Sequence, residues 1–220
     1  MKTHPIIKQN WSNPRKITAR EDTIISLYSK RYKLKSIPAK EQYWTMCGKL
    51  TDDSGDENKN SEFCQVTNCG LIKPKQFYGV EIQENIFEIN KKIYPKLNIY
   101  HGDFFWTMNN AANEGWFNPA IVNADTIFLQ KKAAVYIAKI IYLLSELPKK
   151  NIMLIANVVL DHPYKGNRKK DINLFLKYLS VEKKWKDCFH LWDFQEHCYV
   201  YAGNNSRNKT DMCSYVFFKK

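Results

Sequence analysis

The stretch FYGVEIQENIFEINKKIYPKLNIYHGDFF, residues 77–105, contains two predicted strands and the helix between them. Phe77–Ile82 is predicted as a strand, Asn85–Ile93 as a helix that ends before a proline, and Leu97–His101 as a second strand. Glu81 lies at the end of the first strand, and Asp103 comes just after the second. Two strands that flank a helix in this way predict a βαβ unit with parallel strands.

The same alternation continues on both sides of this stretch. Further strands are predicted at Gln42–Cys47, Ala120–Ala124 and Ile152–Leu160, and further helices at 127–147 and 171–179. Alternating strands and helices build a mostly parallel sheet with helices on both faces. The last forty residues instead contain short strands joined by turns, which predict a C-terminal antiparallel hairpin at the sheet edge. We therefore predict one α/β domain over residues 41–220.

Positive charge is concentrated near the N-terminus. The formal net charge is +12, and residues 1–40 contain ten Lys and Arg against two acids, which gives this segment +8. A capping box at Thr18 and Glu21, followed by apolar residues at helical spacing, predicts a basic N-terminal helical extension over residues 1–40. Its charge favours contact with nucleic acid phosphates, and the alternative is a solvated basic surface. Nucleic-acid contacts are predicted at Arg15, Lys16, Arg20, Lys30, Arg31, Lys33 and Lys35, and at Arg207 in the terminal hairpin.

The sequence also bears on compartment and metal content. No apolar run approaches the roughly 20 residues that span a bilayer, so no membrane contact is predicted. The polar, basic N-terminus lacks the apolar core of a secretory signal. We therefore expect a cytoplasmic protein whose six cysteines are free thiols. Zinc is the alternative near Cys64 and Cys69, but paired C-x2-C sets are missing, so no metal site is predicted.

The strand ends carry the candidate chemistry, because ligands of open α/β sheets bind outside the carboxyl ends of the strands. Glu81 is placed to accept hydrogen bonds from both hydroxyls of a ribose, since a carboxylate offers about four lone-pair sites. Asp103 and Phe104, one strand over, would supply an acceptor and an apolar wall for an adenine ring. The first strand ends at Cys47 and Gly48.

Two short segments resemble the second and third cofactor motifs of class I methyltransferases that use S-adenosylmethionine (SAM). They are Gly79-Val80-Glu81-Ile82 and His101-Gly102-Asp103-Phe104. The resemblance implies a Rossmann-like methyltransferase sheet, SAM as the cofactor, a ribose contact at the first segment and an adenine contact at the second. The implied cofactor-binding residues are Cys47, Gly48, Gly79, Glu81, Ile82, Asp103 and Phe104.

Two other segments differ from the family pattern. The loop after the first strand holds Gly48 and Gly55 where the family has a glycine-rich loop. The fourth strand ends in 121–126 without the Pro-Pro-aromatic turn of amino-methyltransferases that act on nucleic acids. Asn123 and Asp125 could hold an amino or hydroxyl nucleophile there, and both are predicted as catalytic residues.

Two functions stay open at this stage. The first is a SAM-dependent methyltransferase that acts on DNA or RNA. The second is a protein that has the methyltransferase fold without efficient catalysis and binds nucleic acid or a protein partner. A small-molecule methyltransferase is disfavoured by the positive charge of residues 1–40.

Overall fold

The computed structural model describes residues 21–52, 55–160, 168–195, 201–202 and 211–220. Within these ranges eight strands form one sheet. The strands are β1 (Gln42–Met46), β2 (Phe77–Glu81), β3 (Asn98–His101), β4 (Pro119–Leu129), β5 (Met153–Val159), β6 (Trp192–Gln195), β7 (Tyr201–Ala202) and β8 (Asp211–Lys219).

The strand order is β3-β2-β1-β4-β5-β8-β6, and β7 pairs with β8 beside this path. Strands β1 to β5 are parallel to one another. Strand β8 lies antiparallel between β5 and β6. The predicted mostly parallel sheet with antiparallel C-terminal strands is therefore confirmed. The hairpin differs in one detail, because β8 is an internal strand and β6 forms the edge.

Helices cover both faces of the sheet. They are α1 (Leu27–Tyr32), which follows a π-helical turn (Glu21–Ser26), then α2 (Glu62–Asn68), α3 (Glu84–Ile93), α4 (Phe104–Asn113), α5 (Gln130–Glu146), α6 (Arg168–Val181) and α7 (Lys183–Cys188). One core contains residues of α1 and α2, with α3 packed at its margin, and the other contains residues of α4 to α7. We call the two sides of the sheet the α1 face and the α5 face.

The central strands are buried on both sides, because helices lie on both faces. In β1, Tyr43 belongs to the core of the α1 face and Trp44 to that of the α5 face, and both are fully buried. In β4, Ile121 belongs to the core of the α1 face and Val122 to that of the α5 face. This two-sided burial explains why these strands appear as nearly continuous apolar runs rather than as alternating patterns.

Local sequence sets where the short helices begin and end. The Ser61 side chain accepts the N–H of Cys64 at 3.2 Å and begins α2. Gly70 follows that helix with a φ of 76°, a conformation that glycine adopts without steric cost. Asp103 likewise accepts the N–H of Trp106 at 3.0 Å and begins α4.

Two elements differ from the prediction. Strand β4 was expected to end at Ala124, but it continues to Leu129 with an irregular register after Asp125, and α5 begins only at Gln130. The segment Thr-Ile-Phe-Leu is apolar and rich in strand-forming side chains, so periodicity alone cannot separate strand from helix there. Helix α7 was not predicted, because its six residues are too few to show a helical period.

Part of the basic N-terminal segment belongs to the core. Residues 1–20 lie outside the described ranges, but Ile24, Leu27 and Tyr28 are buried against the α1 face. The region before β1 is therefore not wholly an appendage.

The cysteine prediction needs one correction. Cys47, Cys64, Cys69 and Cys188 are free thiols, whereas Cys213 in β8 is disulfide-bonded. Sequence spacing does not show which cysteines a sheet brings together.

In the described ranges, no helix combines the length and the apolar character needed to cross a membrane.

Candidate cofactor and substrate site

The sheet reverses its order between β1 and β4. The chain leaves β1 toward α2 on one face and leaves β4 toward α5 on the other, so a crevice opens at the carboxyl ends of these two strands. Cys47 and Gly48 follow β1 at this edge, and Asp125 lies in the outer part of β4. Glu81 ends the next strand, β2. Asp103 follows β3, which pairs with β2, so the fold brings all four predicted strand-end positions to the neighbouring strands β3-β2-β1-β4.

Glu81 is a buried carboxylate, with 6% of its surface exposed. Its Oε1 accepts the backbone N–H of Gln83 at 2.8 Å. Burial raises the pKa of the Glu81 carboxyl, and the N–H groups of Gln83 and Ile82 and the nearby His101 oppose that shift. In the described part of the chain, Glu81 forms no ion pair with Lys or Arg. Lone pairs therefore remain for hydroxyl donors.

Gly79 and Cys47 are packed against each other across β1 and β2. A Cβ at Gly79 would lie 2.8 Å from the Cys47 Sγ and 2.9 Å from its Cβ, closer than side chains approach. The Cys47 thiol is itself buried, and burial raises its pKa. Both residues were predicted to contact the cofactor, and here they bring β1 and β2 close together beneath the crevice.

The loop after β1 is attached to α3 by one side chain, which sequence analysis missed. Asn90 is fully buried, donates to the Gly48 carbonyl at 2.7 Å and accepts the N–H of Leu50 at 2.9 Å. Gly48 has a φ of 55°, so the loop turns sharply at the one glycine directly after β1. An asparagine inside an amphipathic helix was the only sequence signal of this contact.

Asp103 and Phe104 follow β3 and have different environments. The Asp103 carboxylate caps α4 and also lies 3.3–3.4 Å from the Tyr136 hydroxyl of α5. That hydroxyl accepts the N–H of Phe105 at 2.9 Å. Burial raises the pKa of Tyr136, and the neighbouring Asp103 contributes to the rise. Phe104 is 3% exposed and packs in the core, so its ring is not available to a ligand in this conformation.

Ile82 presents an exposed apolar side chain at this edge, whereas Phe104 does not. It directly follows the buried Glu81 and is 67% exposed. The His101 ring lies beside it, with Nε2 at 3.2 Å from the Ile82 carbonyl oxygen. An acceptor and an apolar side chain are thus adjacent at the end of β2.

Asn123 belongs to a buried polar network and is 1% exposed. Its amide donates to Glu62 Oε2 at 2.9 Å and accepts from Asn157 at 2.9 Å. Tyr43 donates to the other Glu62 oxygen at 2.6 Å, and Ser214 donates to Asn157. Asn123 therefore connects α2, β4 and β5 in this conformation. Asp125, two residues on, is partly exposed at the crevice.

The predicted nucleic-acid contacts lie partly within the described ranges. Lys30, Lys33 and Lys35 are exposed. Arg31 is also exposed, but it pairs with Asp193 at 2.6 Å and its guanidinium lies 5.3 Å from the centroid of the Phe218 ring. Arg31 therefore links α1 to the C-terminal strands. The remaining positions, Arg15, Lys16, Arg20 and Arg207, lie outside the described ranges.

Two exposed aromatic residues at this edge were also missed. Trp106 in the first turn of α4 is 61% exposed, and Phe128 in the irregular end of β4 is 37% exposed. Leu129, next to Phe128, is 52% exposed. The available signal was an aromatic residue shortly after a strand end, and bulged strand ends often re-aim side chains near functional sites.

Several solved structures are similar to this chain. The chain is 12% identical to Trm5b from Pyrococcus abyssi over 88% of its own length and 48% of that chain, with a TM-score of 0.46. It is 12% identical to Aeropyrum pernix fibrillarin with bound SAM, over 86% and 73% of the two chains, with a TM-score of 0.43. It is 10% identical to a SAM-dependent methyltransferase from Clostridium acetobutylicum, over 92% of each, with a TM-score of 0.46.

The chain spans about half the length of Trm5b. No family model matches the sequence, and no curated protein is significantly similar to it. The strand order, the antiparallel β8 and the helices on both faces define the fold. The chain has the Rossmann-like fold of class I methyltransferases.

Proposed function

We propose that this protein binds SAM at the carboxyl ends of β1 and β2 and transfers its methyl group to a nucleic acid. The observation that carries the proposal is Glu81, a buried carboxylate that forms no ion pair with Lys or Arg in the described ranges, beside the point where the strand order reverses. Burial still raises the pKa of this carboxyl despite its hydrogen bonds, so keeping it charged destabilises the fold. Such local costs are typical of functional sites.

The residues present fit the parts of SAM. Glu81 would accept the ribose hydroxyls, and Ile82 would contact the adenine ring. The Asp103 carboxylate accepts one hydrogen bond at the start of α4. Its remaining lone pairs would accept a hydrogen bond from the adenine amino group. Bound SAM supplies a methyl group that is already activated, so alignment with the acceptor provides most of the rate. Asp125, partly exposed at the crevice, would hold the acceptor and receive its proton. Asn123 would position this strand end through its network.

Nucleic acid as the substrate is supported by charge. The net charge of +12 and the +8 of residues 1–40 favour a polyanionic partner. Within the described ranges, Lys30, Lys33 and Lys35 are exposed.

A second candidate is a methyltransferase-fold protein that binds nucleic acid or a protein partner without methyl transfer. The contact of Asn90 with the loop after β1 favours it, because that contact occupies the Gly48 carbonyl and the Leu50 N–H. Backbone groups of this loop are then committed to the protein rather than to a ligand.

Calorimetric titration with SAM and S-adenosylhomocysteine separates the two candidates. The enzyme proposal predicts saturable binding that Glu81→Gln weakens at least about tenfold, because a hydrogen bond to a charged group contributes roughly 1.5–3 kcal/mol. Glu88→Gln, an exposed acid of α3, is the matched control and should leave the affinity unchanged. No binding at millimolar ligand would support the second candidate.

A further inference from the structure

Two pairs of aromatic rings lie at the carboxyl edge of the sheet. The Trp106 and Phe105 ring centroids are 5.3 Å apart, and those of Phe128 and Tyr136 are 5.7 Å apart. The Tyr136 hydroxyl joins the two pairs by accepting the N–H of Phe105 at 2.9 Å. We call these four residues the aromatic ridge. It connects the first turn of α4 to the junction of β4 and α5.

Two rings of the aromatic ridge are exposed, and the other two pack beneath them. Trp106 is 61% and Phe128 37% exposed, whereas Phe105 and Tyr136 are half-buried. Asp103 contacts the Tyr136 hydroxyl and caps the helix that carries Trp106. Single exposed apolar residues are common on proteins, but adjacent ones mark interaction sites. Because these contacts already hold the rings in place, less side-chain entropy is lost when a ligand binds.

Positive charge lies directly beside the ridge. Lys131 and Lys132 are exposed in the first turn of α5, which contains no acidic residue. Cations are disfavoured at a helix N-terminus, because the helix dipole is positive there. Two lysines at this place thus add to a positive potential beside exposed aromatic rings. An anionic ligand with planar groups complements both features.

We propose that the aromatic ridge, with Lys131 and Lys132, binds single-stranded nucleic acid at the methyl-transfer site. Trp106 and Phe128 stack on unpaired bases, and the lysines contact the neighbouring phosphates. The strand must be single because duplex bases are stacked on each other and do not present their faces. The proposal rests on the proposed function in that it specifies the substrate, and Asp125 lies in the same strand end as Phe128.

The test measures binding of labelled 12-nucleotide RNA and DNA single strands, and of the matching duplexes, by fluorescence anisotropy. Single strands should bind more tightly than duplexes. Trp106→Ala and Phe128→Ala should each weaken single-strand binding about tenfold, and Trp106→Phe should retain most of it. Phe189→Ala is the matched control. Phe189 is a 54% exposed aromatic residue just before β6, the outermost strand on the side of the sheet away from β3. Its removal should change affinity less than twofold.

The lysines are tested through salt dependence. The Lys131→Ala, Lys132→Ala double variant should lower the slope of log affinity against log salt by about 0.7 per lost phosphate contact. The double variant Lys183→Ala, Lys186→Ala removes two exposed lysines of α7 as a control and should leave the slope unchanged.

The outcomes separate this proposal from the proposed function. Both ridge variants should retain SAM affinity by calorimetry and a native circular dichroism spectrum. If SAM binds but single-strand affinity is the same in the wild type, Trp106→Ala and Phe128→Ala, the ridge proposal is wrong and the methyltransferase proposal stands. If the ridge variants lose oligonucleotide binding and neither the wild type nor the variants bind SAM, the ridge proposal stands and the enzyme proposal fails. Binding of anionic vesicles through the ridge, without oligonucleotide binding, also overturns it.

Discussion

At the scale of single residues, the carboxyl edge depends on contacts that leave little room. Gly79 has no side chain because the Cys47 thiol occupies the space where a Cβ would lie. The contact holds β1 and β2 together one pleat below Glu81. A glycine that sequence comparison would assign to a cofactor therefore has a packing role that can be measured.

Gly79→Ala should lower the free energy of unfolding by about 1–3 kcal/mol, the usual cost of overpacking. Adding Cys47→Ala removes the Sγ at 2.8 Å but leaves the Cβ at 2.9 Å, so it should restore part of the loss. Chemical denaturation of the two single variants and the double variant gives the coupling energy. Strictly additive effects would show that the two side chains do not meet.

Glu81 gives a second prediction at this scale. Its pKa is raised above the ordinary carboxyl value of 4.5 because burial disfavours the charged form. As pH rises above 4.5, the unfolded chain loses this proton before the folded chain does, so the stability of the fold falls through this window. Glu81→Gln should therefore be more stable than the wild type at neutral pH, and the difference should vanish at acidic pH. Thermal unfolding between pH 4 and 8 measures it, and a difference that grows on acidification would contradict the account.

At the scale of elements, the C-terminal end of α5 depends on the last strand. Lys219 of β8 is buried, and its Nζ donates to the carbonyls of Leu144, Ser145 and Leu147 at 2.8, 3.1 and 2.5 Å. These carbonyls lack partners within the helix, and a cation is favoured at this end of the dipole. One side chain thus joins the sheet to the longest helix of the described ranges.

Lys219→Met should lower the free energy of unfolding by about 1–3 kcal/mol, because it leaves buried carbonyls without a donor. Lys220→Met is the matched control. Lys220 is exposed and pairs with Asp193 at 3.2 Å, and exposed ion pairs contribute at most about 1 kcal/mol. Urea unfolding of both variants makes the comparison. Equal losses would mean that the Lys219 contacts do not stabilise the helix end.

Sequence predicts elements where one periodicity dominates and fails where two compete. Ser61 and Gly70 mark the limits of α2, and the long helical period of α5 predicts its C-terminal end. The segment 125–129 satisfies both strand and helix patterns, and the bulge that exposes Phe128 arises only when β4 pairs with β5. Asn90 is likewise a contact between distant segments, so its role depends on tertiary packing that no local pattern contains.

At the scale of the whole molecule, the alternation of strands and helices was enough to predict a parallel sheet. The position of β8 between β5 and β6 was not predictable from local sequence, because a strand's neighbours depend on long-range pairing. The order places Glu81, Asp125 and the aromatic ridge along one edge of the sheet. The basic residues Lys30, Lys33 and Lys35 are contributed by the segment before β1.

Hydrogen–deuterium exchange with and without saturating S-adenosylhomocysteine tests the central claim most directly, because it locates the ligand without a mutation. We predict that the ligand slows exchange most in the loop after β1, residues 47–52, and in residues 82–86 after Glu81. Peptides at the opposite edge, such as residues 183–192, should exchange as before. Unchanged exchange in both loops, or protection confined to another part of the chain, would contradict a SAM site at the carboxyl ends of β1 and β2.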